Sequence, residues 1–471
     1  MTRRTTTLAL ATSLFVAGCA TLVPPVPEAR PSVPAEWPLP AETASAATGD
    51  VAAPSPVTAD IGWRDFFADP RLDEVVALAL DNNRDLRVAM LNVERARSMY
   101  RVQRADRLPS VGGTVEMART GGDDRDVSES YSAEVGIAGF ELDLFGRVRN
   151  LSEAALEQFL ATEEAQRSAQ LALIAEVANA WLTLGADREL LAIANETLAS
   201  HQASFDLNTR RHELGAISGL DLSQLRTRLE TARADAARYQ GRVAQDINAL
   251  TLLAGAPIDP ALLPERFTPQ VSGLAPLPAG LPSEVLLRRP DVLAAEHLLL
   301  SANANIGAAR AAFFPSITLT AGIGSASSEL SGLFDSGTIG WSFMPKLNLP
   351  IFQGGRLRAG LGVASADRDI ALARYEQAIQ AGFREVADAL ALSRSLADQR
   401  TAQEALLDAA TRTHELSQAR YDAGLDSHLV LLDAQRTLYA AQQAVVATRL
   451  AEQANRVTLY KALGGGWTEG P

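Results

Sequence analysis

A handful of residues in this chain have types and spacings that could do chemistry. The one cysteine, Cys19, stands directly after Val16-Ala17-Gly18, behind an apolar run from Leu8 and a basic start at Arg3-Arg4. Small residues ahead of a thiol at the end of a short apolar segment fit a cleaved secretory leader, and a cysteine left at the new N-terminus can carry acyl chains. An ordinary leader with an incidental cysteine has the same shape. Near the other end, Leu429, Asp433 and Arg436 are spaced by four and three, so on a helix they share one face. A carboxylate and a guanidinium placed so can pair with each other or reach for neighbouring helices. Asp123, Asp124 and Asp126 could hold a cation, although a solvated charged loop explains them as well. The five histidines (His201, His212, His297, His414, His428) are scattered and form no HExxH or HxxxH pair. His212 and Ser218 lie close in sequence but have no third group to orient them, so no nucleophile–base set can be assembled and no enzyme is expected. Gly464-Gly465-Gly466 reads as a flexible tail rather than a phosphate cradle. One cysteine excludes an intrachain disulfide and any Cys-based zinc or iron–sulfur site, and no cofactor is expected.

The elements that carry these residues follow from composition and pattern. At 471 residues, with 47% hydrophobic and 21% charged, the chain is long and rich enough to fold into more than one domain. The net charge is −13, from 43 basic and 56 acidic residues, with no Lys/Arg tract and only 6% aromatics. Nucleic acid is therefore a poor partner. Residues 24–56 hold nine of the 23 prolines, which enforces an extended strap from Cys19 to the folded body. No segment beyond the leader reaches 18 uninterrupted apolar residues; the best, 171–184, is broken by Glu176 and Asn179. A helical membrane protein is excluded on that ground.

The chain repeats itself. Leu108-Pro109-Ser110 returns as Phe314-Pro315-Ser316, Leu144-Phe145-Gly146-Arg147 as Ile351-Phe352-Gln353-Gly354-Gly355-Arg356, and Arg211-His212-Glu213-Leu214-Gly215 as Arg420-Tyr421-Asp422-Ala423-Gly424. The offsets are 315−109 = 206, 356−147 = 209 and 424−215 = 209. Two copies of a unit of about 200 residues, joined by the Pro- and Gly-rich 257–282, are expected to share one topology, at a period far longer than any solenoid repeat.

Each copy carries a long helical stretch. Residues 147–213 contain no proline and one glycine, Gly185, and 356–422 contain no proline and are rich in alanine. Uninterrupted, each would run roughly 100 Å; the alternative is several shorter helices with untypical turns. Alanine permits the close approach of bundle or coiled-coil helices. Shorter helices over 72–107 and 217–254 add up to nearly one long helix and could stack beside it. Leu214-Gly215-Ala216 and Ala423-Gly424-Leu425 supply tight turns.

Between short and long helices lie strand patterns. Ile317, Leu319, Ala321 and Ile323 alternate with Thr318, Thr320, Gly322 and Gly324, and Ile339, Trp341 and Phe343 with Gly340, Ser342 and Met344. In copy one the strands span 111–119 and 131–145. The apolar phase of the second switches near Ala138-Gly139, from Tyr131, Val135 and Ile137 to Phe140, Leu142 and Leu144, as a bulge would make it. Four strands cannot close a barrel, and a sheet in lipid must close. Two chains would give eight strands and a nearly filled interior; three would give twelve and leave room for a duct. A soluble sheet packed on one face would show the same alternation.

The sequence resembles the outer-membrane factor (TolC-like) family of bacterial efflux systems, in particular the lipoprotein subgroup of the OprM/NodT type. The resemblance covers nearly the whole mature chain and rests on the lipobox-like end at Cys19 and on five further stretches. These are Gly62-Trp63-Arg64-Asp65-Phe66-Phe67-Ala68-Asp69-Pro70-Arg71-Leu72, Asn82-Asn83-Arg84-Asp85-Leu86-Arg87, Asp143-Leu144-Phe145-Gly146-Arg147, Leu287-Arg288-Arg289-Pro290-Asp291 and Tyr421-Asp422-Ala423-Gly424. It implies a mixed, mainly α fold with a membrane β-barrel. Three identical chains would build a twelve-stranded outer-membrane barrel that continues into a long periplasmic α-helical barrel. It further implies a passive exit duct for drugs or other small molecules, served by a periplasmic adaptor (membrane fusion) protein and an inner-membrane pump of the RND type. Cys19 would bear palmitate-type acyl chains in outer-membrane lipid, with Ala20 after it directing outer-membrane sorting.

Under the same resemblance Leu429, Asp433 and Arg436 form a gate, an apolar constriction held by charged bonds; an exposed ion pair on one helix is the plainer account. Leu214, Gly215, Ala216 and Ser218, with Ala423, Gly424, Leu425 and Ser427, are candidates for adaptor docking as well as plain turn residues. The expected organisation is a leader at 1–18, anchor and strap at 19–60, repeat one at 61–256, linker at 257–282, repeat two at 283–463 and a tail at 464–471. The rival reading is a lipid-anchored periplasmic coiled-coil scaffold or adaptor without a pore, which would need no amphipathic strands of membrane length.

Overall fold

The computed structural model describes residues 22–31, 33, 34, 37, 62–123, 125–267 and 283–465. In chain order these form α1 (Trp63–Phe66), α2 (Pro70–Asn82), α3 (Arg84–Ala105), β1 (Val111–Gly122), β2 (Arg125–Leu142), α4 (Arg147–Glu213) and α5 (Gly219–Ala254). There follow α6 (Pro290–Ala311), β3 (Ser316–Ser327), β4 (Ile339–Asn348), α7 (Arg356–Asp422) and α8 (His428–Ala462), with short 3-10 turns at Pro260–Leu262, Ser283–Arg288 and Leu330–Gly332. Cys19, residues 268–282 and residues 466–471 lie outside the described residues. The two long helices are continuous at 67 residues each, because no proline removes an amide donor from either ladder.

The expected helix over 72–107 is instead two helices, and Asn83 breaks it. Its backbone sits at φ −62°, ψ 131°. Its Oδ1 accepts from Leu86 N at 2.9 Å, starting α3, while its Nδ2 donates to Leu253 O at 2.9 Å. An asparagine that caps one helix and ties down a distant carbonyl is worth more to the fold than one more helical residue. At the other end, α5 begins at Gly219 rather than 217. Ser218 is its N-cap, and Ser218 and Asp221 form a capping box in which Asp221 N donates to Ser218 Oγ at 3.1 Å.

The chain divides into two compact units. One comprises Met1–Pro31, Leu91–Glu164 and Asp291–Ala378; the other comprises Ser32–Met90, Ala165–Pro290 and Ile379–Pro471. The first holds one antiparallel sheet in the order β1-β2-β3-β4, so β1 and β4 each have a single neighbour. Its strands of 12, 18, 12 and 10 residues are each long enough for the 9–11 or so that a tilted strand needs to cross a bilayer. Phe145, on the link from β2 to α4, stacks on Phe314 before β3 at 4.7 Å. Asp143 Oδ2 accepts from Arg149 N at 2.7 Å and the Glu141 carboxylate accepts from Arg147 Nε at 2.9 Å, so the Asp143–Arg147 stretch anchors the start of α4. Two carbonyls near the N-terminus are held by α6: Asn303 Nδ2 donates to Pro24 O at 2.9 Å and Arg310 Nη1 to Leu22 O at 3.0 Å.

The second unit holds the main apolar core. Trp63, Phe66, Phe67, Leu72, Val75 and Val76 bury against Ile174, Val177, Trp181, Leu182 and Leu184 of α4 and Leu250 of α5. Phe66 lies flat on Tyr460, with ring centroids 3.8 Å apart and planes 2° apart. Burying side chains of this size contributes about 1.5–3 kcal/mol each. The stretch from Gly62 to Leu72 is thus a core plug, with Asp69 capping α2 by accepting from Arg71 N at 3.0 Å. By length and composition α4 holds a stretch apolar enough to cross a membrane, but 61% of that stretch is buried, and 171–184 lies largely in this core. Gly185 lets the backbone of Arg266 and Phe267 approach to 3.6 Å of where a Cβ would stand, and Trp181 Nε1 donates to Leu262 O at 3.1 Å. Arg289, from the Leu287–Asp291 stretch, is buried and donates to Ala462 O at 2.7 Å and to Glu385 at 2.8 Å.

Candidate functional site

A conduit is made of surfaces rather than a pocket, and the sheet is the first of them. Register sorts its side chains onto two faces. One face carries the cross-strand rows Val111–Ile137–Ala321–Phe343 and Gly113–Val135–Ile323–Trp341. The other carries Thr114–Glu134–Gly324–Gly340 and Gly112–Gly136–Gly322–Ser342. The first face is apolar, and Val111, Val135, Ile323, Trp341 and Phe343 are all more than half exposed on it. A one-residue slip would turn this row to the opposite side, and the bulge prevents that. Between Ile137 and Phe140 the register shifts, with Gly139 at φ +66°, a conformation that suits glycine. Past it Phe140 pairs with Leu319 and Leu142 with Ile317, so the apolar set keeps one face across the phase change. On the second face a Cβ at Gly136, Gly322 or Gly324 would collide with the neighbouring strand or with Glu134. Small residues there let the Glu134 carboxylate lie over the sheet.

The turns after α4 and α7 are near copies. Gly215 and Gly424 take φ +73° and +72°. Their amides donate to His212 O and Tyr421 O at 2.9 Å, and the next amides, of Ala216 and Leu425, reach back to Arg211 O and Arg420 O at 2.8 and 2.9 Å. This pair of bonds closes a helix end on a left-handed residue. His212 Nδ1 lies 3.0 Å from Ile217 O. In the second turn Arg420 donates from Nε to Asp426 Oδ2 at 2.6 Å, and that hydrogen bond holds the Asp426 carboxyl below its usual range. Leu214, Gly215, Ala216, Ser218, Ala423, Gly424, Leu425 and Ser427 are all exposed; Leu214 is 85% so, unusual for leucine.

Leu429, Asp433 and Arg436 share one face of α8. Arg436 Nη2 donates to Asp433 Oδ1 at 2.6 Å, with the two side chains 74% and 64% exposed. Within one chain the pair closes on its own helix. Leu429 and Asp433 line a groove with Ala410, Thr413 and Ser417 of α7. The 209-residue repeat offset carries Leu429, Asp433 and Arg436 to the neutral Leu220, Gln224 and Thr227 of copy one, and Arg228 stands just beyond them. Its Nη1 donates to Leu432 O at 3.2 Å. Burial, and then the Arg436 charge, lower its guanidinium from the usual value, with Asp433 pulling the other way. Arg228 lines a cleft of about 380 Å³ with His201, Asp235, Arg436 and Tyr439. Burial and then Arg228 hold both His201 and His428 below the ordinary imidazole value. Tyr439 donates to Asp235 Oδ2 at 3.3 Å, and burial pushes its phenol up to about 12. These partners lie 204 residues apart in sequence, so no local motif marks them. Among the described residues no group of three or more His, Cys, Asp or Glu side chains is placed to hold a metal.

Residues 75–256 and 281–465 match the outer membrane efflux protein family. The chain belongs to the outer membrane efflux protein family. The two matched segments follow the internal repeat. The chain is 46% identical over 471 residues, 98% of its own length and 96% of the relative's, to the probable efflux pump outer membrane protein TtgC of Pseudomonas putida. It is 44% identical to the outer membrane protein OprJ of Pseudomonas aeruginosa, over 87% of each chain. Among solved structures it is similar to the open state of the MtrE outer membrane channel of Neisseria gonorrhoeae, with a TM-score of 0.86 and 38% identity, covering 96% of this chain and 99% of that one. A structure of CusC, described in terms of folding and transmembrane channel formation, matches with a TM-score of 0.84 and 41% identity over 95% of this chain and all of that one. This outer membrane efflux protein is an exit channel and a component of an efflux pump, with the helical and strand elements of TolC-like channels in tandem repeat. The family and the matched structures are channels rather than enzymes.

Proposed function

We propose that three copies of this chain close a twelve-stranded barrel in the outer membrane and conduct drugs or other small molecules passively to the exterior. The apolar row Gly113–Val135–Ile323–Trp341, on a sheet with two unpaired edges, carries the reading. Lipid offers no partner for edge amides and carbonyls, so the edges must be filled by further strands. Eight strands leave an interior that side chains nearly fill, and twelve leave a passage. Relatives named for toluene, solvent and antibiotic efflux support a cargo of apolar or amphiphilic small molecules.

The remaining parts take roles under this proposal. Cys19 carries the acyl chains that hold the strap to outer-membrane lipid; each buried CH₂ adds about 0.8 kcal/mol. The exposed turns at Leu214–Ser218 and Ala423–Ser427 are where a periplasmic adaptor seats, coupling the duct to an inner-membrane pump of the RND type. Leu429 narrows the duct, and Asp433 and Arg436 exchange their pairing within α8 for bonds to neighbouring chains when it shuts. Weighing the particle extracted from membranes in mild detergent tests the assembly: a mass of three chains is expected, and a mass of one chain would refute it.

A further inference from the structure

At the end away from the helices the four strands are joined by two connections, and the two differ in chemistry. Between β1 and β2 the chain reads Gly121-Gly122-Asp123-Asp124-Arg125-Asp126, all small or charged, as a solvated turn should be. Between β3 and β4 it reads Ser328-Glu329-Leu330-Ser331-Gly332-Leu333-Phe334-Asp335-Ser336-Gly337-Thr338. Leu333 is turned in and 3% exposed, whereas Leu330 is 65% and Phe334 80% exposed. A lone exposed apolar side chain is ordinary; two on one loop, beside an apolar face, make a patch.

The β3–β4 loop is braced. Gly332 N donates to Glu329 O at 3.2 Å, Leu333 N to Leu330 O at 3.3 Å and Asp335 N to Gly332 O at 3.2 Å. Thr338 Oγ1 donates to Asp335 O at 2.9 Å, and Ser325 Oγ donates to Leu333 O. Register tells which face the loop lies over. Ser325 and Ser327 follow Ile323 in steps of two, so their side chains share the apolar face. Both serines touch the loop: Ser325 at Leu333, and Ser327 by accepting from Glu329 N at 3.2 Å and by standing 3.1 Å from where a Gly332 Cβ would be. The hollow on the opposite face, walled by Glu134, Gly324, Ala326 and Thr338, takes nothing from residues 328–337. The apolar face also changes character at this level. Tyr131 pairs with Ser327 and donates to Glu129 Oε2 at 3.1 Å, and Arg119 Nε lies 3.2 Å from Glu129 Oε1. Apolar rows that give way to a tyrosine and then to charges have the profile of a membrane boundary.

We infer that Leu330 and Phe334 seat in the hydrocarbon of the outer membrane's outer leaflet, so that the β3–β4 loop is a lipid contact and not a cover for the duct. The inference rests on the reading of the apolar row as the lipid face and carries that face beyond the strands. Continuity selects the occupant. The row Gly113–Val135–Ile323–Trp341, Tyr131 and the serines under the loop lie on one side of one sheet, so whatever wets the row also meets the loop. A protein partner there would have to displace lipid already lying against Ile323 and Trp341. Glu329 and Asp335, both exposed, flank the two apolar tips and hold the rest of the loop in the headgroup layer.

Fluorescence quenching in full-length protein tests it. A small thiol-reactive fluorophore is attached at Phe334→Cys and the protein is placed in phosphatidylcholine vesicles, with the parent, treated alike, as the blank for Cys19. Nitroxide carried high on the lipid acyl chains quenches a probe in the outer hydrocarbon; iodide quenches a probe in water. The same probe at Trp341→Cys reports the apolar row, and at Ser342→Cys the opposite face. The probe at Phe334→Cys should lose emission to the lipid nitroxide, as the one at Trp341→Cys does, and should be shielded from iodide relative to the one at Ser342→Cys. Leu330→Cys gives the same reading from a second position if Phe334→Cys disturbs the loop. Quenching from lipid at Trp341→Cys, with quenching only from water at both Phe334→Cys and Leu330→Cys, would overturn the loop contact and leave the lipid face standing. No quenching from lipid at any of the three would overturn both.

Discussion

An arginine at Phe343 should damage the membrane sheet far more than an arginine at Ser342, its neighbour in sequence. Phe343 pairs with Ala321 and sits on the apolar row; Ser342 pairs with Gly322 on the opposite face. The two are at nearly the same depth in the ten-residue β4, so depth cancels in the comparison and the face alone differs. A guanidinium facing lipid near mid-depth costs about 2–4 kcal/mol per chain, whereas substitutions facing the lumen tune selectivity. At about 1.4 kcal/mol per decade, Phe343→Arg should lower the folded-to-unfolded ratio in vesicles by roughly 30- to 700-fold. Guanidinium titration of the vesicle-inserted protein, read by protection of the strands from added protease, measures this. Equal losses for the two variants, or a neutral Phe343→Arg, would refute the assignment of the apolar row to lipid.

Three further outcomes are expected. Asp433→Ala leaves thermal unfolding nearly unchanged, since an exposed i,i+3 pair contributes only about 0.2–1 kcal/mol, but raises antibiotic leakage into cells; unchanged leakage would count against the gate. Replacing Gly424 by tryptophan meets open space yet forces an L-residue to φ +72°, at a cost of about 1–2 kcal/mol, and should reduce co-purification with the adaptor more than it reduces channel assembly. Cys19→Ser should remove acyl mass from the mature chain in intact-mass spectra; an unmodified wild-type Cys19 would rule out the anchor.

Much of this architecture is legible because its signals are long or repeated. The 67-residue helices follow from runs without proline, and the bulge at Gly139 from a switch in apolar phase that no straight strand could carry. Asn83 was hidden by helical pattern on both sides, although Asn82-Asn83 before Arg84-Asp85 carries capping residues in the right order. The Arg228 network was out of reach for a different reason. Arg228 and Leu432, Asp235 and Tyr439, and Tyr239 and Gln443 meet across 204 residues, and that separation differs from the 209-residue repeat. A map by the 209 offset pairs Leu432 with Ser223 and Arg436 with Thr227, so it does not bring out Arg228. The stretch from Gly62 to Leu72 spoke for kinship rather than chemistry: its aromatic rings fill the core of one unit.

Single-channel recording of the purified protein in planar bilayers tests the central claim most directly. Stable conductance steps are expected, larger in Asp433→Ala than in the parent. A protein that enters the bilayer intact and passes no current would contradict it.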